Sequence, residues 1–314
     1  MVTSRPLQGL AVGVSISGSE DSSALGFPSA QVNRVTVQIA SALLGQGAAV
    51  VFGHDWREDG VMDAIYRFAI QFEAPSSGDG DGEPLIRNML PWPDQPSLSE
   101  NQQERLGSIL KIEPGKLPDE LQERWDSLAR DPERAERYFP YFRARGLTYL
   151  RHRLNDVIDG RVCFGGTKRG YQGRYPGIVE EALFAVQNRT PLYLAGLFGG
   201  ATQQIIDAFG RVGVEDSYRS ESAPALYAAG SEFERNNVDR QIDPRGVWLT
   251  FAEMGLSGLS AINGLSQEEN QALFRAPALD QAISLILTGL ARVHGKKSGG
   301  SDHGGRRNGR DQRA

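Results

Sequence analysis

Residues 9–16 (GLAVGVSI) form a short apolar run closed by Ser17-Gly18-Ser19-Glu20-Asp21, the mark of a buried strand that ends in a turn. From Gln31 to Leu44 the apolar positions Val32, Val35, Ile39, Ala42 and Leu43 recur at steps of three and four. They stop at Gly45 and Gly47, which predicts an amphipathic helix. Residues 48–53 (AAVVFG) repeat the strand pattern. Behind Asp59, Val61, Ala64, Ile65 and Phe68 repeat the helical one. The alternation resumes with a strand at Arg161-Val162-Cys163-Phe164, a helix over 177–187, a strand over 191–195 and a helix near 202–209. Strand and helix alternating in units of about 30 residues predict an α/β, Rossmann-like parallel sheet with helices on both faces.

Between the two halves the pattern changes. Residues 74–83 (APSSGDGDGE) are polar and Gly-rich, a surface loop, and 84–93 (PLIRNMLPWP) predicts a short strand. Residues 95–156 are richer in Gln, Glu, Arg and Pro. Within them LSENQQERLGSIL and LPDELQERWDSLARDPERAERYF predict helices with solvated faces, a helical insertion at about 95–156. Ser266 and Glu269 have capping-box spacing ahead of Leu273, Phe274, Ala278, Ile283, Leu285 and Leu287, so a helix there is expected to pack back on the body. No internal repeat is apparent.

Composition sets bounds on this picture. The 314 residues suffice for one enlarged domain, expected over 1–294. Residues 295–314 carry six Lys or Arg against two Asp, so a formal charge of -5 leaves the body acidic. A Gly-rich basic arm without apolar anchors predicts a disordered C-terminal tail, and the acidic body disfavours nucleic acid as a partner. Cys163 stands alone, and no basic-then-apolar leader precedes Arg5-Pro6, so a cytoplasmic setting is expected. No apolar run approaches the roughly 20 residues that span a bilayer, so no membrane partner is expected. His54, His152, His294 and His303 are too scattered for a zinc pattern, and neither a metal nor a cofactor is expected.

In an open parallel sheet, ligands bind beyond the carboxyl ends of the strands, where helix N-termini present unpaired N–H groups. Three loops have that position. The first runs over Ser15, Ile16, Ser17, Gly18, Ser19, Glu20 and Asp21, and the second holds Gly53 with His54, Asp55 and Trp56. The third runs from Gly165, Gly166 and Thr167 through Lys168, Arg169 and Arg174 to Pro176 and Gly177. Glycines and hydroxyls let backbone approach an anion, and the third loop adds cations, so a phosphate-bearing ligand is expected. Arg174, next to the Pro176-Gly177 turn, is the cation expected to read the phosphate. Neither GxGxxG nor a Walker loop occurs. Glu180 and Glu181 follow in the first turn of a helix. They serve either as partners of its dipole or as carboxylates beside the ribose of a bound nucleotide.

These residues resemble the SLOG superfamily of Rossmann-like domains, named for the Smf/DprA proteins and the "lonely guy" phosphoribohydrolases. The resemblance spans roughly 9–210, apart from the insertion. Val50-Val51-Phe52-Gly53-His54-Asp55 with Gly60-Val61-Met62 is similar to the family's first loop. Leu147-Thr148-Tyr149-Leu150-Arg151 is similar to its arginine-bearing helix. Phe164-Gly165-Gly166 and Pro176-Gly177-Ile178-Val179-Glu180-Glu181 resemble its PGGxGTxxE motif, split by the inserted TKRGYQGRY. Ile178 replaces the motif's threonine. The resemblance implies catalytic or ligand-facing roles for Arg151 and Glu181, with Glu180 one position earlier. It implies binding of a nucleotide or nucleotide-derived ligand, as in sensors of bacterial conflict systems. The alternative it implies is an N-glycosidic hydrolase acting on a nucleoside 5′-monophosphate. The expected partner is a nucleotide-type small molecule, and the chain is compatible with a homo-oligomer.

Overall fold

The computed structural model describes residues 5–53, 61–70, 84–95, 101, 104, 109–211 and 243–299. Six strands form one parallel sheet: β1 (Ala11–Ser17), β2 (Ala49–Phe52), β3 (Ile86–Met89), β4 (Leu110–Glu113), β5 (Gly160–Gly165) and β6 (Leu192–Ala195). Their spatial order is β4-β3-β2-β1-β5-β6. The chain steps outward from β1 to the β4 edge, then crosses back to lay β5 against β1, with Val12 opposite Gly160 and Ser17 opposite Gly165.

Each strand alternates its side chains between two covered faces, which is why the strands read as continuous apolar runs. Val12, Val14, Ile16, Val50, Phe52, Val162 and Phe164 pack on one face. They meet Val32, Val35, Ile39 and Leu43 of α1 (Ser29–Gly45), the positions that the three- and four-residue spacing selects. Helix α2 (Val61–Ile70) lies beside α1. On the other face, Cys163, Leu192 and Leu194 pack under the later helices.

The segment read as a helical insertion holds α3 (Asp119–Leu128) and α4 (Pro132–Asp156). Asp131 separates them: its carboxylate accepts from the N–H groups of Glu133 and Arg134, and Pro132 supplies a preset first helical residue. The segment also holds β4, which corrects the helix expected over 98–110 at its end. Ile109, Leu110 and Ile112 are buried and Lys111 is exposed, a period of two too short to be told from a helical step in the sequence alone. Helix α4 is the crossover that returns the chain from the edge strand. Its Leu150 and Leu154 pack with Val51 and Met89 of the sheet and with Ile158.

Helices α5 (Gly177–Gln187) and α6 (Gly200–Phe209) follow β5 and β6. Beyond them come α7 (Pro244–Asn263), kinked at Gly255, then α8 (Gln267–Phe274) and α9 (Leu279–Gly299). The Ser266/Glu269 capping box is present, and Ile286 and Leu290 join the core beside α1. Helix α9 carries through Gly299, which moves the start of any tail past 295. Residues 300–314 lie outside the described residues. Among those described, no helix is long and apolar enough to cross a membrane.

Candidate functional site

The return of the chain to the middle of the sheet makes β1 and β5 neighbours whose following helices leave toward opposite faces. That divergence opens a crevice at their carboxyl ends. A cavity of about 400 Å³ occupies it, within the range of small-ligand sites. Ser15 and Ser17 of β1, Gly53, Arg151 of α4, Gly166, Thr167, Gly177 and Glu181 line it, with Val51, Leu147, Leu154 and Ile178 as apolar wall.

Local backbone shapes the rim. Gly165 and Gly166 have φ of +66° and +89°, and a Cβ on Gly166 would come within 2.8 Å of the Ile178 side chain. The pair therefore turns the chain out of β5 where no larger residue fits. Helix α5 then begins at Gly177, behind Pro176 at the cap position and with no side-chain cap among the described residues, and its first residues, Gly177 and Ile178, face the cavity. The positive end of its dipole is thus open to solvent or ligand.

The charged residues divide into two nests. Glu180 is buried, accepting from Arg151 Nη1 at 2.6 Å and from Thr148 Oγ1 at 2.7 Å. Both its oxygens are used, and it does not line the cavity. Its neighbour Glu181 does. Glu181 Oε2 accepts from Ser15 Oγ and from Arg161 Nη1, the latter at 3.1 Å, while Arg161 Nη1 also donates to Ser15 Oγ at 2.7 Å. Glu181 Oε1 lies 3.9 Å from Arg151 Nε. The Arg151 guanidinium sits against the start of α5, where a Cβ on Gly177 would be 2.9 Å from Nη2. Beside this cluster, burial pushes the Cys163 thiol up to about 12, with the Arg161 charge opposing and Glu181 assisting.

Several expected residues lie elsewhere. Ser19 donates to the Phe198 carbonyl at 2.7 Å and its Oγ accepts from Asp21 and Ser22 N–H groups. Gly18, Gly165 and Pro176 border the site without lining it. Lys168 Nζ is held by the Asp21 carboxylate at 2.8 Å, and the Lys168 and Arg169 N–H groups donate to Glu20. The hydrogen bond from Lys168, then that from the Gly200 N–H, hold the Asp21 carboxyl below the usual carboxylate range. The Arg174 guanidinium lies over the Tyr175 ring, 5.1 Å from its centroid, and not in the cavity lining. His54, Asp55, Trp56 and Gly60 fall outside the described residues.

Ser15 and Tyr171 belong to the first and third expected loops and Thr148 to the expected arginine-bearing helix, whereas Arg161, expected only as part of a strand, joins the site's support as well. Arg161 sits inside an apolar strand pattern, and a charged residue there is the signal that could have marked it. Among the described residues, no group of three or more His, Cys, Asp or Glu could hold a metal ion.

Residues 6–273 match the family model of SLOG cluster 2. No curated protein and no solved structure matches the chain.

Proposed function

The chain belongs to the SLOG cluster 2 family, and from that premise we propose that it binds a nucleotide or nucleotide-derived ligand in the cavity between β1 and β5. The observation that carries this reading is the uncapped start of α5 opening onto the cavity with the Arg151 guanidinium beside it. Backbone N–H groups and a neighbouring guanidinium together favour a phosphate. The apolar wall of Val51, Leu147 and Leu154 is suited to a base. A role as a sensor in a bacterial conflict system, in the cytoplasm, fits a site built for binding.

A hydrolytic reading is favoured by Glu181, a carboxylate on the cavity wall. In it Glu181 would assist N-glycosidic cleavage of a nucleoside 5′-monophosphate while Arg151 held the phosphate. Glu180, with both oxygens occupied, serves there as the anchor of Arg151.

Thermal shift with a panel of nucleoside 5′-monophosphates tests the binding reading. A nucleotide at about 100 times its Kd adds about 2.7 kcal/mol of stability, so a shift is expected for at least one nucleotide and none for the matching nucleoside at equal concentration. No shift for any nucleotide rejects the proposal. Release of free base, abolished in Glu181→Gln, would favour the hydrolase over the sensor.

A further inference from the structure

We propose that Arg161 and Ser15 are positioning residues that hold Glu181 as a fixed acceptor for a sugar hydroxyl of the ligand; this rests on the nucleotide reading and narrows it to ribosyl ligands. Glu181 Oε2 is occupied by Ser15 Oγ and Arg161 Nη1. Among the described residues, Oε1 has only Arg151 Nε, at 3.9 Å, beyond hydrogen-bond length. A carboxylate oxygen accepts and never donates, so Glu181 offers a ligand one open acceptor, aimed by the two contacts on its partner oxygen.

Placement identifies what that acceptor meets. Glu181 stands four residues along α5 from Gly177, about 6 Å at the helical rise, and both line the same cavity. With a phosphate at the start of the helix, the next part of a nucleoside 5′-phosphate is its ribose, whose hydroxyls are donors.

Arg161 is a costly means of filling space. It is 2% exposed, and its Nε and Nη2 have no partner among the described residues. An apolar side chain of similar volume would pack there without desolvating a charge. What its charge does is fix one carboxylate oxygen of Glu181, through Nη1 and through the Ser15 hydroxyl that Nη1 also contacts.

Titration calorimetry of the full chain with the four common ribonucleoside 5′-monophosphates and their 2′- and 3′-deoxy counterparts tests this. At least one ribonucleotide should bind wild type about tenfold or more tighter than a counterpart lacking the hydroxyl read by Glu181, the factor expected for a hydrogen bond to a charged acceptor. Arg161→Met and Ser15→Ala should each bring that ratio to within about twofold while both nucleotides still bind, because the start of α5 is untouched. Arg161→Lys should restore part of the ratio. If circular dichroism shows Arg161→Met unfolded, Ser15→Ala, which removes one hydroxyl, carries the test. A ratio near one in wild type that nonetheless binds nucleotides overturns the proposal, as does a ratio that survives in the folded variants. Absence of nucleotide binding to wild type instead overturns the nucleotide reading, and the proposal with it.

Discussion

Helices α5 and α6 begin at the same end of the sheet and follow neighbouring strands, yet their first turns are treated differently. At α6 the Asp21 carboxylate accepts from the Gly200 N–H at 2.9 Å and pairs with Lys168. The chain has placed its own anion there. At α5 no side chain caps the helix, and Gly177 and Ile178 face the cavity beside Arg151. Both helix ends thus carry an anion, Asp21 at α6 and Glu180 in the first turn of α5, but among the described residues only Asp21 accepts from an N–H at the helix start. The lesson is that a Gly-rich loop and a helix start do not by themselves mark a ligand site. What marks α5 is donor capacity left open next to a cavity.

The comparison can be broken most severely at Arg151, the cation of the open end. Arg151→Met leaves Glu180, 1% exposed, with only Thr148 as partner. Loss of one member of a buried pair is expected to cost about 3–5 kcal/mol of stability. Denaturant unfolding reads this loss, and nucleotide titration should show binding falling with it. Arg151→Met and Glu180→Gln that unfold at the wild-type denaturant midpoint would show that the pair contributes nothing.

Gly177→Asp converts the open end into a copy of the closed one. The new carboxylate would sit by the Arg151 guanidinium, whose flexible end can yield to it, and should stabilise the helix start while competing with a phosphate. Nucleotide affinity is expected to fall about tenfold or more, with a melting temperature equal to or above that of wild type. Unchanged affinity in calorimetry would move the phosphate away from α5.

Asp21→Asn opens the closed end, and its effect should be smaller, because Asp21 is partly exposed. About 0.3–1 kcal/mol is expected for an anion at a helix start. The Asp21 carboxyl has its pKa lowered on folding, so its contribution is present above the unfolded value, near 3.9, and is lost as pH falls through the lower folded value. The difference in melting temperature between wild type and Asp21→Asn should therefore shrink on acidification below about pH 4. A gap that widens in acid would contradict the assignment.

The smallest response is expected at Cys163. Its thiol, fully buried and pushed up to about 12, should show no reaction with a thiol reagent at pH 8 in the folded protein. Full reaction is expected in denaturant. Rapid labelling of the native protein would show that the sheet opens between β1 and β5.

Much of this architecture was legible in the chain because the signals are local. Apolar runs at 9–16, 48–53 and 161–164 read as buried strands since both sheet faces are covered. The spacing of Val32, Val35, Ile39 and Leu43 assigned α1's buried face before any partner was known. Gly166, Thr167, Gly177 and Glu181 could be expected near the crevice, and do line the cavity, because a helix start after a strand has a known place in a parallel sheet. The strand at Leu110–Glu113 was not readable, since four residues cannot separate a period of two from one of 3.6, and its pairing partner β3 settles the matter. Arg174, adjacent in sequence to the critical turn, lies over Tyr175, while Arg161, sixteen residues before Gly177, supports the cavity. Sequence distance says nothing about which way a side chain leaves the backbone. Local periodicity therefore determined the elements and their order. Only the return of α4 to the centre of the sheet, which sets Arg151 and Arg161 against Glu180 and Glu181, decided which charges meet, because ion pairs form between elements whose packing no single segment encodes.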